Sequence, residues 1–147
     1  MPYPSILKEV DALMAETANQ IRELGGVIHY IDYAENKDQF RKPQTGMASL
    51  LAAKIKNNFG EDVGIDFQNS FMVGDAGYKK ASAKYNGDIM PDGKPGRDFS
   101  NSDRLFAENL GISFYYAPNF FEWKKIGFDE LIDQGVSAID ALNMIHP

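Results

Sequence analysis

The stretch "SFMVGDAG" sets Asp75 at the end of an apolar run, with Gly74 before it and Gly77 close behind. A carboxylate at a strand's carboxyl end, beside glycines that admit a ligand to the backbone, is placed to hold Mg²⁺, a hard ion that takes oxygen ligands and waters. The same aspartate could simply cap the following turn. Upstream, "FRKPQTG" puts Arg41 and Lys42 directly before Pro43. A lysine held there can neutralise a phosphate or a carboxylate, although a solvated loop lysine is the plainer reading. Downstream, "DFSNSDR" brings Asp98, Ser100, Asp103 and Arg104. Ser100 with Asp103 three residues on has capping-box spacing, whereas Asp98 precedes that cap and needs a partner of its own. Between the two acidic stretches, Lys79, Lys80, Lys84, Lys94 and Arg97 stand against Asp88 and Asp92. This basic loop suits a nucleic-acid backbone or plain solvent. The spacing G-x-x-x-x-G-K-[ST] is absent here, so the phosphate-cradling Walker loop is not the chemistry.

The whole chain narrows the options. At 147 residues it is the size of one domain, and 44% apolar with 24% charged residues describes a globular protein with a real core. The net charge of −6 means that any site for nucleic acid must be local. With no cysteine, disulfides, thiolate zinc sites and cysteine nucleophiles all fall away. His29 and His146 are the two imidazoles, too few for a histidine-rich metal site, and His29 reads as structural. No apolar run approaches the roughly 20 residues of a membrane span, and "MPYPSILKEV" has no signal-peptide pattern. A soluble protein of the cytoplasm or nucleus, with no membrane partner, is expected.

These residues need elements to position them. Ile6, Val10, Leu13, Met14, Thr17, Ile21 and Leu24 follow helical spacing, predicting a helix over Ser5 to Leu24 with one buried stripe, stopped by Gly25-Gly26. "VIHYIDY", Val27 to Tyr33, is β-branched and aromatic and predicts a strand. A second helix is expected from a Thr45 cap to Phe59, with Met47, Leu50, Leu51, Ile55 and Phe59 inward. "SFMVGDA" and "ISFYYA" predict buried strands, with a helix over Asn101 to Asn109 between them. A helical turn "PNFFEW" and helices at Phe128–Gln134 and Ser137–Met144 close the chain. The aromatics from Tyr30 to Trp123 fall mostly on these elements and read as core. Helix and strand alternate, which predicts a single α/β domain over residues 1–147 with a parallel sheet and right-handed crossovers.

Three pieces in order and in spacing, "FRKPQTGM", "SFMVGDAG" and "GRDFSNSDRLFAENLGISFYYAPNFF", resemble the phosphatase domain of the polynucleotide kinase 3'-phosphatases. That family lies within the haloacid dehalogenase (HAD) superfamily, and the likeness runs from Phe40 to Trp123. The resemblance implies a Rossmann-like parallel sheet with helices on both faces, and Mg²⁺-dependent removal of a 3'-phosphate from DNA ends. By the same resemblance Lys42 neutralises the phosphate with Arg41 beside it, and Asp75 is the Mg²⁺ ligand. Asp98 joins it in the acidic motif, supported by Asp103, while Lys79, Lys80 and Arg97 lie nearest the nucleic acid.

One departure matters as much. The family's nucleophile is an aspartate of a D-x-D-G-T-type motif, and no D-x-D pair occurs in these 147 residues. A phosphoaspartate mechanism needs that attacking carboxylate. The chain therefore looks like the C-terminal half of the domain, lacking the family's first two strands, and inactive alone. Those strands would lie between "VIHYIDY" and "SFMVGDA", so two sheet edges are expected to face a gap; either the sheet closes up with three strands, or another chain or a swapped copy fills it. The alternative is a non-catalytic domain that binds DNA ends or a partner.

Overall fold

A computed structural model describes residues 4–123 and 127–145, so His146 lies outside it. The chain divides into two compact units, Met1–Gly64 and Ile65–Pro147.

In the first unit, helix α1 spans Pro4–Glu23 and α2 spans Gly46–Phe59. Both helices form where the apolar spacing puts them, but their stripes are shallow. Ala18 is the one described residue of this unit that is fully buried, while Leu13 is 68% and Leu24 89% exposed. On α2, Met47, Leu51 and Ile55 are half-buried, and Leu50 and Phe59 are exposed. Thr45 stands at the N-cap position of α2 without a side-chain capping bond, and Gly60 ends the helix as expected.

The segment Val27 to Tyr33 is not a strand. Its β-branched composition favours an extended backbone, yet a strand exists only as part of a ladder, and no neighbour pairs with this segment among the described residues. Side chains hold it instead. Tyr33 donates its hydroxyl to Asp11 Oδ1 at 2.8 Å, Asn58 donates to the Tyr30 hydroxyl at 2.9 Å, and Lys54 Nζ lies 3.4 Å from Asp32 Oδ2. His29 is exposed within it and packs against no core.

The second unit carries the sheet. Strand β1, Phe71–Gly74, runs parallel to β2, Ser113–Tyr116, with Phe71 opposite Ser113 and Gly74 opposite Tyr116. Helix α3, Ser102–Leu110, lies on the crossover between them and packs on both. Gly111 ends α3 in the left-handed region at φ 72°, where a side chain would be strained. Helix α4, Ala117–Trp123, follows β2 directly, and α5, Asp129–Asp133, and α6, Ala138–Ile145, complete the unit. The result is an α/β arrangement around a parallel pair, with two strands among the described residues rather than the three anticipated.

The core sits under β2. Tyr115, Phe120, Phe128, Ala141 and Leu142 form it, with Phe71 and Val73 of β1 packed alongside. The Phe71 ring meets Tyr115 edge-on at 5.6 Å, and Phe120 meets Phe128 at 5.9 Å. Burying rings of this size contributes about 1.5–3 kcal/mol each, so this cluster anchors the strand ends that follow it. Phe121, in contrast, is 59% exposed. No described helix is long and apolar enough to cross a membrane.

Candidate functional site

The carboxyl end of β1 opens directly into a turn formed by Asp75, Ala76, Gly77 and Tyr78. Two later carboxylates hold this turn. Asp98 Oδ2 accepts from the N–H groups of Gly77 at 3.1 Å and Tyr78 at 2.8 Å, and its Oδ1 accepts the Tyr116 hydroxyl at 2.7 Å. Burial and this bond to Asp98 push the Tyr116 hydroxyl upward from its ordinary value. Asp103, 5% exposed, accepts from Ala76 N–H at 3.0 Å, and its own N–H donates back to the Ala76 carbonyl at 3.0 Å. The expected capping box of Ser100 and Asp103 is not formed, because Asn101 takes the N-cap position and Asp103 is drawn to Ala76 instead. The Ser100 hydroxyl accepts from Ser102 N–H, while the helix itself starts behind Asn101.

Gly74 makes this possible. A Cβ there would stand 2.5 Å from Asp103 Oδ2, so only glycine lets α3 approach the strand end this closely. Asp75 is left pointing to solvent, with no hydrogen bond or ion pair to any described residue. The three aspartates thus have separate roles: two brace the turn and one is presented by it.

The basic loop beyond the turn is ordered. Lys79 and Asp98 form a parallel bridge, Lys80 N–H donates to the Asp98 carbonyl at 2.8 Å, and Ile89 pairs antiparallel with Pro95. Its centre is Asp88, which the sequence presented only as a counter-charge. Asp88 accepts Lys79 N–H at 2.8 Å, Asn101 Nδ2 at 3.0 Å and the Tyr85 hydroxyl, and it pairs with Arg104 at 3.1 Å. Partial burial alone would raise this carboxyl, but the Tyr85, Lys79 and Asn101 hydrogen bonds with the Arg104 guanidinium hold it down at about 2. Arg104 also donates to the Gly77 carbonyl at 2.8 Å and to Glu108 at 2.8 Å, so it joins the turn, the loop and α3. No local pattern marks Asp88, because its partners come from three separate parts of the sequence.

Lys79 lies 4.9 Å from the Tyr85 ring centre and Lys80 lies 4.2 Å from that of Phe99. Arg97 is exposed, and its hydrogen bond with Tyr116 raises it further. Arg41 and Lys42 belong to the other unit. There, Arg41 N–H donates to Asp38 and its carbonyl accepts from Gln44 N–H, in a loop that begins α2. The Lys42–Pro43 peptide is cis, and Arg41, Lys42 and Pro43 line an open depression of about 620 Å³ with Lys37 to Gln39 and Gln44.

A divalent ion can be tested against these donors. Among the described residues no cluster of three His, Cys, Asp or Glu side chains converges. Asp98 already accepts three hydrogen bonds from the protein and Asp103 is buried, so Asp75 is the exposed carboxylate of the turn. That fits Mg²⁺, which is commonly held by one or two carboxylates with waters and substrate oxygens, and it requires further oxygen ligands from outside the turn.

A braced acidic turn at the carboxyl end of a parallel strand, with an ordered basic loop behind it, stands where α/β sheets generally bind their ligands. The particular family follows from comparison. The model of the polynucleotide kinase 3 phosphatase family matches residues 4–121, and the chain belongs to that family. It is 35% identical over 102 residues to an uncharacterized 20.8 kDa protein of Autographa californica nuclear polyhedrosis virus, covering 69% of this chain and 47% of that one. It is 39% identical over 85 residues to a bifunctional polynucleotide phosphatase/kinase of Schizosaccharomyces pombe, covering 58% of this chain and 15% of that one. The polynucleotide 3'-phosphatase ZDP of Arabidopsis thaliana is 31% identical over 84 residues, or 57% of this chain and 9% of its own. The chain thus spans about half the length, or less, of the curated relatives it matches. No solved structure matches it.

Proposed function

We propose that this chain forms the metal- and phosphate-binding half of a HAD-type polynucleotide 3'-phosphatase acting on DNA ends, as in DNA repair, with the nucleophilic aspartate supplied by a separate segment. The observation that carries this reading is the division of labour among the aspartates. Asp98 and Asp103 are engaged with the backbone of the turn, while Asp75 is presented without a partner. In this reading Asp75 is the metal-binding carboxylate, and Asp98 and Asp103 fix the direction in which it points. Bound Mg²⁺ would supply charge neutralisation at a transferring phosphoryl group. Lys42, with Arg41, neutralises the phosphate, and Lys79, Lys80 and Arg97 face the polynucleotide. The parallel pairing of β1 with β2 supports the Rossmann-like parallel sheet that this reading assumes. The unpaired Val27–Tyr33 segment supports a sheet completed by strands from elsewhere, either from the other half of the domain or from a second copy.

The experiment is complementation. A 3'-phosphorylated oligonucleotide is incubated with Mg²⁺ and this chain, with and without a polypeptide carrying the D-x-D-G-T half. Turnover only in the mixture, removed by Asp75→Asn, is the expected result; turnover by the chain alone would overturn the assignment of the nucleophile. Binding of DNA ends without turnover is the second reading, favoured by the absence of any D-x-D pair in the 147 residues. No phosphate release from the mixture would select it.

A further inference from the structure

Phe99 is 86% exposed, yet the residues on both sides of it are hydrogen-bonded in place. Asp98 before it is clamped by the Gly77 and Tyr78 amides and the Tyr116 hydroxyl, and Ser100 after it accepts from Ser102 N–H. A phenyl ring exposed to water forgoes the burial that Tyr115 and Phe120 obtain nearby. It is also not alone. The Lys80 ammonium stands 4.2 Å from the ring centre, and the Lys80 N–H bond to the Asp98 carbonyl keeps the two residues side by side. An ammonium on one side of a largely accessible ring leaves a flat apolar face open. The chain carries −6 overall, so a rigid aromatic plane within its basic loop is a local departure in charge as well as in polarity.

We propose that Phe99 and Lys80 form a stacking step for a single-stranded polynucleotide, one base lying on the Phe99 ring and a neighbouring phosphate meeting the Lys80 ammonium. The choice of a polynucleotide rests on the phosphatase reading above; the step itself rests on the exposed, braced ring and its cation. Base stacking on the open face of an aromatic ring tolerates any sequence, and the cation over the opposite face can meet a neighbouring phosphate, so the pair offers a single strand both a base platform and a charge for its backbone. A protein partner would satisfy the ring but has no comparable use for the ammonium beside it. Since Asp98 braces both the Asp75 turn and the base of Phe99, the step is built into the same scaffold as the candidate metal-binding carboxylate.

The test is fluorescence anisotropy of the full chain with a short labelled single strand ending in a 3'-hydroxyl, at low salt. Phe99→Ala is expected to weaken binding about tenfold while Phe99→Trp retains it. Lys80→Ala is expected to lower the salt dependence of binding by about one ion. A strand with one abasic position should bind the wild-type chain as weakly as the intact strand binds Phe99→Ala, and that variant should ignore the lesion. Phe99 is solvent-facing, so circular dichroism and melting of its variants should match wild type and exclude misfolding. Equal binding by wild type and Phe99→Ala, or no binding by wild type, would overturn the proposal and leave Phe99 to a protein partner. A 3'-hydroxyl strand has no phosphate to lose, so this outcome is independent of turnover. Phe99-dependent binding with a silent complementation assay would refute the phosphatase and keep the step.

Discussion

At Asp88 four donors converge on one carboxylate, and the charge on that carboxylate becomes a condition of the loop's order. An aspartate in an unfolded chain titrates near ~3.9, whereas Asp88 in the folded chain is held at about 2. The folded pKa is the lower one, so the stabilisation is complete above the unfolded value and is lost as pH falls through the interval between the two. Asp88→Asn is expected to lower stability at neutral pH by about 2 kcal/mol, because it weakens charge-assisted bonds and removes one of the two carboxylates that pair with Arg104. The same variant should show a flatter decline of stability with acid between pH ~4 and ~2. Urea denaturation at pH 7 and pH 3 measures both effects; an unchanged difference between wild type and variant at the two pH values would contradict the assignment. Residue types alone could not reveal this. Lys79, Tyr85, Asn101 and Arg104 are unremarkable one by one, and it is the folding of the loop, with the bridge between Lys79 and Asp98, that brings them around Asp88.

The element that governs the site is α3, through its seat against the end of β1. Gly74→Ala would drive a methyl group into the Asp103 carboxylate, and overpacking of this kind costs about 1–3 kcal/mol. Thermal melting should record that loss. Asp75-dependent activity in the complementation assay should fall further than the melting shift accounts for, because the turn is displaced as well as destabilised. Helix α3, expected over Asn101 to Asn109, forms at Ser102–Leu110, and both strands of the pair form within the expected "SFMVGDA" and "ISFYYA" segments. The Val27–Tyr33 strand was misread because composition reports what a segment tolerates, and a ladder also needs a neighbour. Asp75 and Asp98 stood out by position, but their contrast was hidden. Whether a carboxylate braces a turn or is offered to solvent depends on which backbone N–H groups face it, and those are set by the crossover.

The molecule as a whole carries an imbalance between its units. The second has an aromatic core, while in the first Ala18 alone is fully buried among the described residues and Leu13, Leu24, Val27 and Phe59 are largely exposed. Apolar side chains left in water in this way favour association where they lie together. Sedimentation of the isolated chain is therefore expected to show species heavier than 16.4 kDa, or strong binding of a hydrophobic dye, and addition of the D-x-D-G-T half should replace both with a defined complex. A stable, dye-silent monomer would contradict this.

The two-way bond between Asp103 and Ala76 has a consequence in time as well as in space. Side chain to amide and amide to carbonyl, it joins the turn to the first residues of α3, whose packing in turn involves both strands. The turn has no independent way to open: releasing Ala76 means releasing the start of the helix, and so part of the cooperative unit. Asp75 is accordingly a solvent-exposed group whose orientation lasts as long as the β1–α3–β2 unit stays folded. The Ala76 amide should exchange its hydrogen on the slow schedule of the strands, although it sits one residue from a side chain that faces water.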